Sequence, residues 1–174
     1  ILAFLYQGYG VISIVLSTLH IFVEYWAAFF IFRQIKNSET RKAPSSLFIK
    51  GSLIALILSS IGPYSLGFIS ANGLKDYAIF DMAIYFYLHF QYNGWLTLAL
   101  IGLILYLFYK KGIPVHTLRI KRGFWIYFIA LFPSYLLSVL WVEELGTISY
   151  AVGALGMQAP LSKFQSLIGK IKTQ

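Results

Sequence analysis

The chain alternates long apolar runs with short polar or basic segments. Residues 1–32 hold a single carboxylate, Glu24, and no lysine or arginine. That run is longer than the ~20 residues that cross a hydrocarbon core, so it predicts a tilted or projecting transmembrane helix. Residues 33–50 then set Arg33, Lys36, Arg41, Lys42 and Lys50 against Glu39, with Pro44 and two serines leading into the next run. A second span is predicted from Ser46 or Leu47 to Ser70. It should be bent or broken at Gly62-Pro63, because proline lacks a backbone donor and its ring clashes with the preceding turn. Ser59 or Ser60 is expected beside the carbonyls so freed. Residues 71–80 carry Asn72-Gly73 and the mixed charges Lys75 and Asp76, and read as a short loop. A third span follows over residues 79–109.

Residues 110–122 form a second basic block, Lys110, Lys111, Arg119, Lys121 and Arg122, broken by Gly112 and Pro114. The fourth span is predicted over residues 123–141, with Pro133 as a second kink site and Glu143 and Glu144 beyond it. The fold class is therefore an all-α, polytopic transmembrane helix bundle of four spans over residues 1–145. Residues 146–174 read differently. Their first part is uncharged and moderately apolar, with Pro160 near its end and Lys163, Lys170 and Lys172 after it, which suits a fifth span, a re-entrant piece or an interfacial helix.

Composition agrees with this pattern. The chain is 59% hydrophobic and 11% charged, where a soluble domain carries about 25% charged residues. Its net charge of +8 is concentrated in the two basic blocks, which fall on alternate loops as the positive-inside rule requires. Loops 33–50 and 110–122 are thus expected in the cytoplasm. The blocks lack the extended cationic face that phosphate contact needs, so nucleic acid is not an expected partner. There is no cysteine, which removes disulfides, thiolate metal sites and thiol nucleophiles. The apolar run begins at Ile1 without a basic segment before it, so it is not a signal peptide. Further N-terminal sequence, with more helices, is expected ahead of it.

Ionisable and polar groups inside spans are the best pointers to chemistry. Tyr9, Ser13, Ser17, His20 and Glu24 recur at helical spacing and share one face of the first span. Two readings stand for that face. It packs against other helices, with His20 and Glu24 bonding each other at i, i+4, or His20 binds a metal or haem with Glu24 as its orienting or proton-carrying partner. The third span holds the densest polar stretch, residues 85–95, with polar groups all round the helix. This predicts the central helix of the bundle, with Gly94 admitting a close neighbour. His89 is its candidate ligand, with Tyr85, Tyr92 and Asp81 as proton-carrying or orienting groups. The alternative is a His89 hydrogen-bonded within the bundle, to Glu24 or to a tyrosine of its own helix. By depth His20 and His89 lie at similar levels, so a shared site requires only that their helices be neighbours. His116, in a basic loop, is given no role. No glycine-rich phosphate loop, histidine-glutamate zinc motif or serine elbow is present.

Ser59-Ser60-Ile61-Gly62-Pro63-Tyr64-Ser65-Leu66-Gly67 and the stretch from Ile84 to Trp95, with His89-Phe90 and Gly94-Trp95, resemble short bacterial polytopic membrane proteins described as haem-copper oxidase subunit I-like. The resemblance covers the second and third spans best. It implies an all-helical bundle with His89 as a candidate haem or metal ligand, and a histidine-rich helix ahead of Ile1. With three histidines, the chain falls short of the ligands for two haems and a copper centre. The functional expectation is a membrane subunit binding haem or a transition metal through His89, with His20, for electron transfer or small-gas handling. The alternatives are a structural or assembly subunit of a larger membrane complex, or a transporter using Glu24, Asp81 and the Gly62-Pro63 break. The expected partners are the lipid bilayer and other membrane subunits or the preceding helical part.

Overall fold

A computed structural model describes residue 6 and residues 11–142; Tyr9, Glu143, Glu144 and the segment read as a fifth span lie outside the described residues. The described residues are all helical, with no strand. Their elements are α1 (Val11–Asn37), a 3-10 turn (Glu39–Lys42), α2 (Pro44–Ser59), α3 (Ile61–Ala71), α4 (Ala78–His89), a π-helical segment π1 (Phe90–Leu96), α5 (Thr97–Lys110) and α6 (Thr117–Ser138). Three helical stretches among them are long and apolar enough to cross a membrane: α1, α2 with α3, and α4 with π1 and α5.

The helix ends follow from local chemistry. α1 runs past the expected boundary at Phe32 and carries Arg33 and Lys36 on its last turns, where cations complement the helix dipole. Pro44 sits in the first turn of α2, the one place its missing N–H is harmless. α3 and α5 both close with a glycine in the left-handed region, Gly73 at φ 70° and Gly112 at φ 66°. In α3 the Leu74 N–H returns to the Ile69 carbonyl at 3.0 Å, and in α5 Ile113 returns to Phe108 at 3.0 Å; this double-bonded ending satisfies the last carbonyls. α6 starts at Thr117, so Arg119, Lys121 and Arg122 ride on its first turns and the second basic loop is shorter than the sequence suggests.

The second span is interrupted as expected. Pro63 withdraws the N–H that would reach the Ser59 carbonyl, and the helix breaks at Ser60 between α2 and α3. Ser59 Oγ donates to the Leu56 carbonyl at 2.7 Å and Ser60 Oγ to Ile57 at 2.6 Å, while the Tyr25 hydroxyl of α1 donates to Ser60 Oγ, so the serines at the break are satisfied by their own helix and by α1.

The centre of the bundle differs from the sequence expectation. α2, rather than the third span, is the hub: it touches α1, α3, α4, π1, α5 and α6. Its buried face is built of small residues, Ser45, Gly51, Ser52, Ala55 and Ser59, which let other backbones approach closely where lipid supplies no hydrophobic driving force. The third span meets this face through its own glycines. Gly102 lies against Ile49 and Phe48, and Gly94 against Ala55. Phe48, Leu98 and Phe124 fill a core at the end of the bundle where α2 begins, with the Phe48 and Phe124 rings edge to face at 5.0 Å. α1 is the outlier: among the described residues its backbone approaches only α2 and the 3-10 turn, and its Tyr25 hydroxyl reaches Ser60 at the break.

Candidate functional site

The only histidine buried among the described residues, His89, ends α4, and the backbone immediately beyond it widens into π1. π segments are rare and recur at functional sites, because the extra residue re-aims side chains. Here the imidazole is 7% exposed and points at α6. Nε2 lies 2.9 Å from the Leu131 carbonyl. Ser134 Oγ is 3.4 Å from the same nitrogen, and its own hydrogen goes to the Leu131 carbonyl at 3.0 Å. A carbonyl can only accept, so we assign the ring hydrogen to Nε2.

Nδ1 is then the acceptor. Its donors are the Asn93 amide and the Ser138 hydroxyl, both at 3.4 Å, beyond the usual range of a good hydrogen bond. The ring is held edge to face by Phe90 at 5.4 Å and by Tyr135 at 5.9 Å. Tyr135 reaches back to α4 through a 2.9 Å bond from its hydroxyl to the Met82 carbonyl, and Tyr127 donates to the Asn93 carbonyl at 2.8 Å. α6 thus grips the third span at three heights through Tyr127, His89 and Tyr135.

Beside Nδ1 lies a cavity of about 400 Å³ lined by His89, Asn93, Tyr127, Ala130, Leu131, Ser134 and Ser138. Its mostly apolar surface is set with imidazole, amide and hydroxyl groups and carries no charged side chain. Asn93 and Ala130 are exposed at its mouth, which opens on the outer surface of the bundle between π1 and α6.

The other residues singled out from the sequence are elsewhere. His20 pairs with Glu24 at 3.2 Å on α1, its side chain 73% exposed. α1 has no contact with α4, π1 or α6, so His20 and His89 are not neighbours and the shared site is not formed within the described residues. Glu24 is likewise not the hydrogen-bond partner of His89; α6 supplies that partner. Tyr85 faces outward against Trp141 with ring centroids 5.9 Å apart, Tyr92 is 61% exposed, and Asp81 lies exposed on the first turn of α4. None of the three lines the His89 cavity. Leu131, Ser134 and Ser138 were missed. The signal was present in the serines at i, i+4 on α6, one helical stripe with the carbonyl beside them, but the helix they face is fixed only by packing.

Among the described residues no three histidine, aspartate or glutamate side chains converge on a metal-sized site. His89 offers one ligand atom, Nδ1, with Nε2–H oriented by a carbonyl in the manner of many metal-bound histidines; the neighbouring amide and hydroxyls are not transition-metal ligands of choice. The residues present therefore do not by themselves fit a metal ion, and a haem held through Nδ1 would need space beyond the cavity. Compared with protein-family models, with curated proteins and with solved structures, the chain matches none.

Proposed function

We propose that the protein is an integral membrane component of a larger helical assembly, with α6 as its fourth span and α1 as the helix that docks onto the rest of that assembly. The observation that carries this is the position of His20 and Glu24. His20 stands about 20 Å along the helix from Arg33, well inside a ~30 Å hydrocarbon core, and its side chain is largely open. Ionisable groups at such depth cost about 2.5–3.5 kcal/mol each in lipid and therefore face protein. The i, i+4 bond between them satisfies one nitrogen and one oxygen, and the Glu24 side chain is already mostly covered at 22% exposure, so it is the open His20 ring that is left to a covering helix. That helix belongs to another membrane subunit or to a part of the same polypeptide outside residues 11–142. Cross-linking from position 20 tests this: an adduct with protein is expected, whereas adducts with lipid alone would oppose it.

In this reading the membrane is a bacterial inner membrane, and both basic segments lie in the cytoplasm. The chain has no cysteine, so single-cysteine variants report topology cleanly. A membrane-impermeant maleimide applied from outside is expected to label position 72 and to spare positions 42 and 121. Labelling at 121 with protection at 72 would reverse the orientation and with it the fourth span.

A second reading, the binding of haem or a transition metal for electron transfer or small-gas handling, is favoured by one feature only. Nε2–H of His89 is anchored on a carbonyl while Nδ1 faces a cavity, the arrangement that fixes a ligating tautomer. It requires the remaining ligands to come from the assembly. The transporter reading, which uses Glu24, Asp81 and the Gly62-Pro63 break, has less behind it: Asp81 is exposed on the first turn of α4 and the cavity beside Gly62 is lined by uncharged residues.

A further inference from the structure

The cavity at His89 presents an unusual inventory of hydrogen-bonding atoms for the middle of a membrane span. Asn93 is roughly midway between Ala78 and Lys110, the ends of the third span, and so near the bilayer midplane. An amide open to hydrocarbon there is costly unless something polar covers it. Several neighbours are already committed: Tyr127 to the Asn93 carbonyl, Ser134 to the Leu131 carbonyl, Nε2 to the same carbonyl. What remains is an acceptor, Nδ1, flanked by two donors, the Asn93 amide and the Ser138 hydroxyl, each too distant to satisfy it fully. One hydroxyl oxygen placed among the three would donate its hydrogen to Nδ1 and accept from Asn93 and Ser138. The lining has no charged group, so a neutral guest is favoured over an ion. A volume of about 400 Å³ exceeds what one water needs, roughly 30 Å³.

We infer that this cavity is a binding site for a neutral, lipid-soluble molecule bearing a hydroxyl group, entering sideways from the bilayer between π1 and α6 and donating its hydroxyl hydrogen to Nδ1 of His89. Asn93, one turn beyond the histidine, lies within reach of Nδ1 and is itself open to the mouth.

The test uses the whole chain in lipid nanodiscs with para-fluorophenol as the probe, followed by fluorine NMR, and with histidine nitrogens labelled. Saturable binding is expected, accompanied by a shift of the His89 Nδ1 resonance while Nε2 stays fixed. Para-fluoroanisole, which has the same ring and no hydroxyl hydrogen, is expected to partition into the bilayer without saturating. Ser138→Ala and Asn93→Leu are each expected to weaken phenol binding roughly tenfold, the effect of losing one hydrogen bond in a dry site. Equal behaviour of the phenol and the ether, or phenol binding untouched by both substitutions, would overturn the assignment. So would an Nδ1 resonance that responds only to exchange of water for deuterium oxide, which would make the cavity a water pocket. The outcome is independent of whether α1 docks onto a partner.

Discussion

Gly94→Val is expected to pull the bundle apart at its centre. A Cβ added at Gly94 would stand 2.7 Å from the Ala55 Cβ and 3.2 Å from Leu131 Cδ2, so the obstruction involves α2 on one side and α6 on the other. Neither neighbour can withdraw by rotating a long side chain: Ala55 has none, and Leu131 is 3% exposed. Overpacking a filled core costs about 1–3 kcal/mol, and a clash shared by two helices belongs at the upper end. A clear fall in the thermal midpoint of the detergent-solubilised protein is expected, together with faster trypsin cleavage at the Arg119–Arg122 end of α6. The double variant Gly94→Ala with Ala55→Gly should recover most of the loss. If Gly94→Val were as stable as the parent, the contact between π1 and α2 would not exist as described.

His89→Leu is the second large effect, and here the loss is chemical rather than steric. The substitution keeps volume but deletes the 2.9 Å bond to the Leu131 carbonyl, the only side-chain bond the imidazole donates across to α6. Losing a partner in a buried site costs about 1–3 kcal/mol. Part is offset, because Ser134 still donates to that carbonyl. Destabilisation of about 1–2 kcal/mol is expected, read by equilibrium unfolding in mixed detergent. His89→Gln, whose amide can donate to the same carbonyl, should retain more stability than His89→Leu. If the order were reversed, the imidazole would be a space-filler and its bond to α6 of no consequence.

Much of the fold could be read from residues whose effect is local. Pro63 removes one specific donor, so the break at Ser60 followed from backbone chemistry alone, and Asn72-Gly73 and Gly112 marked helix ends because only glycine takes the left-handed conformation without strain. The interior position of His89 was legible for a related reason: a helix polar on several faces cannot turn all of them to lipid. The third span nevertheless exposes Tyr85 and Tyr92, amphipathic rings that tolerate partial exposure better than an imidazole does.

The missed features depend on which helix lies beside which. Serines at 45, 52 and 59 looked like scattered polar residues, yet those at 52 and 59 bond carbonyls of their own helix, which turns that face into a smooth packing surface and makes α2 the hub. Depth ranks residues along the membrane normal, and so points to Glu24 as a partner for His89, but it says nothing of their direction in the membrane plane; the α1 backbone, which carries Glu24, approaches α2 and not α4. The π segment has no sequence signature of its own, since it arises where an extra residue is absorbed between two otherwise regular helices.

The central claim is that the His20–Glu24 face of α1 is covered by another transmembrane helix. The direct measurement places a photoreactive diazirine amino acid at position 20, irradiates intact membranes of the native host and maps the adducts by peptide mass spectrometry. The expected result is a dominant adduct with a transmembrane peptide of another subunit, or of a segment outside residues 11–142 of the same polypeptide, while a control at Phe68, exposed on α3, gives lipid adducts. Lipid adducts of equal abundance at both positions, with no cross-linked peptide at position 20, would contradict it.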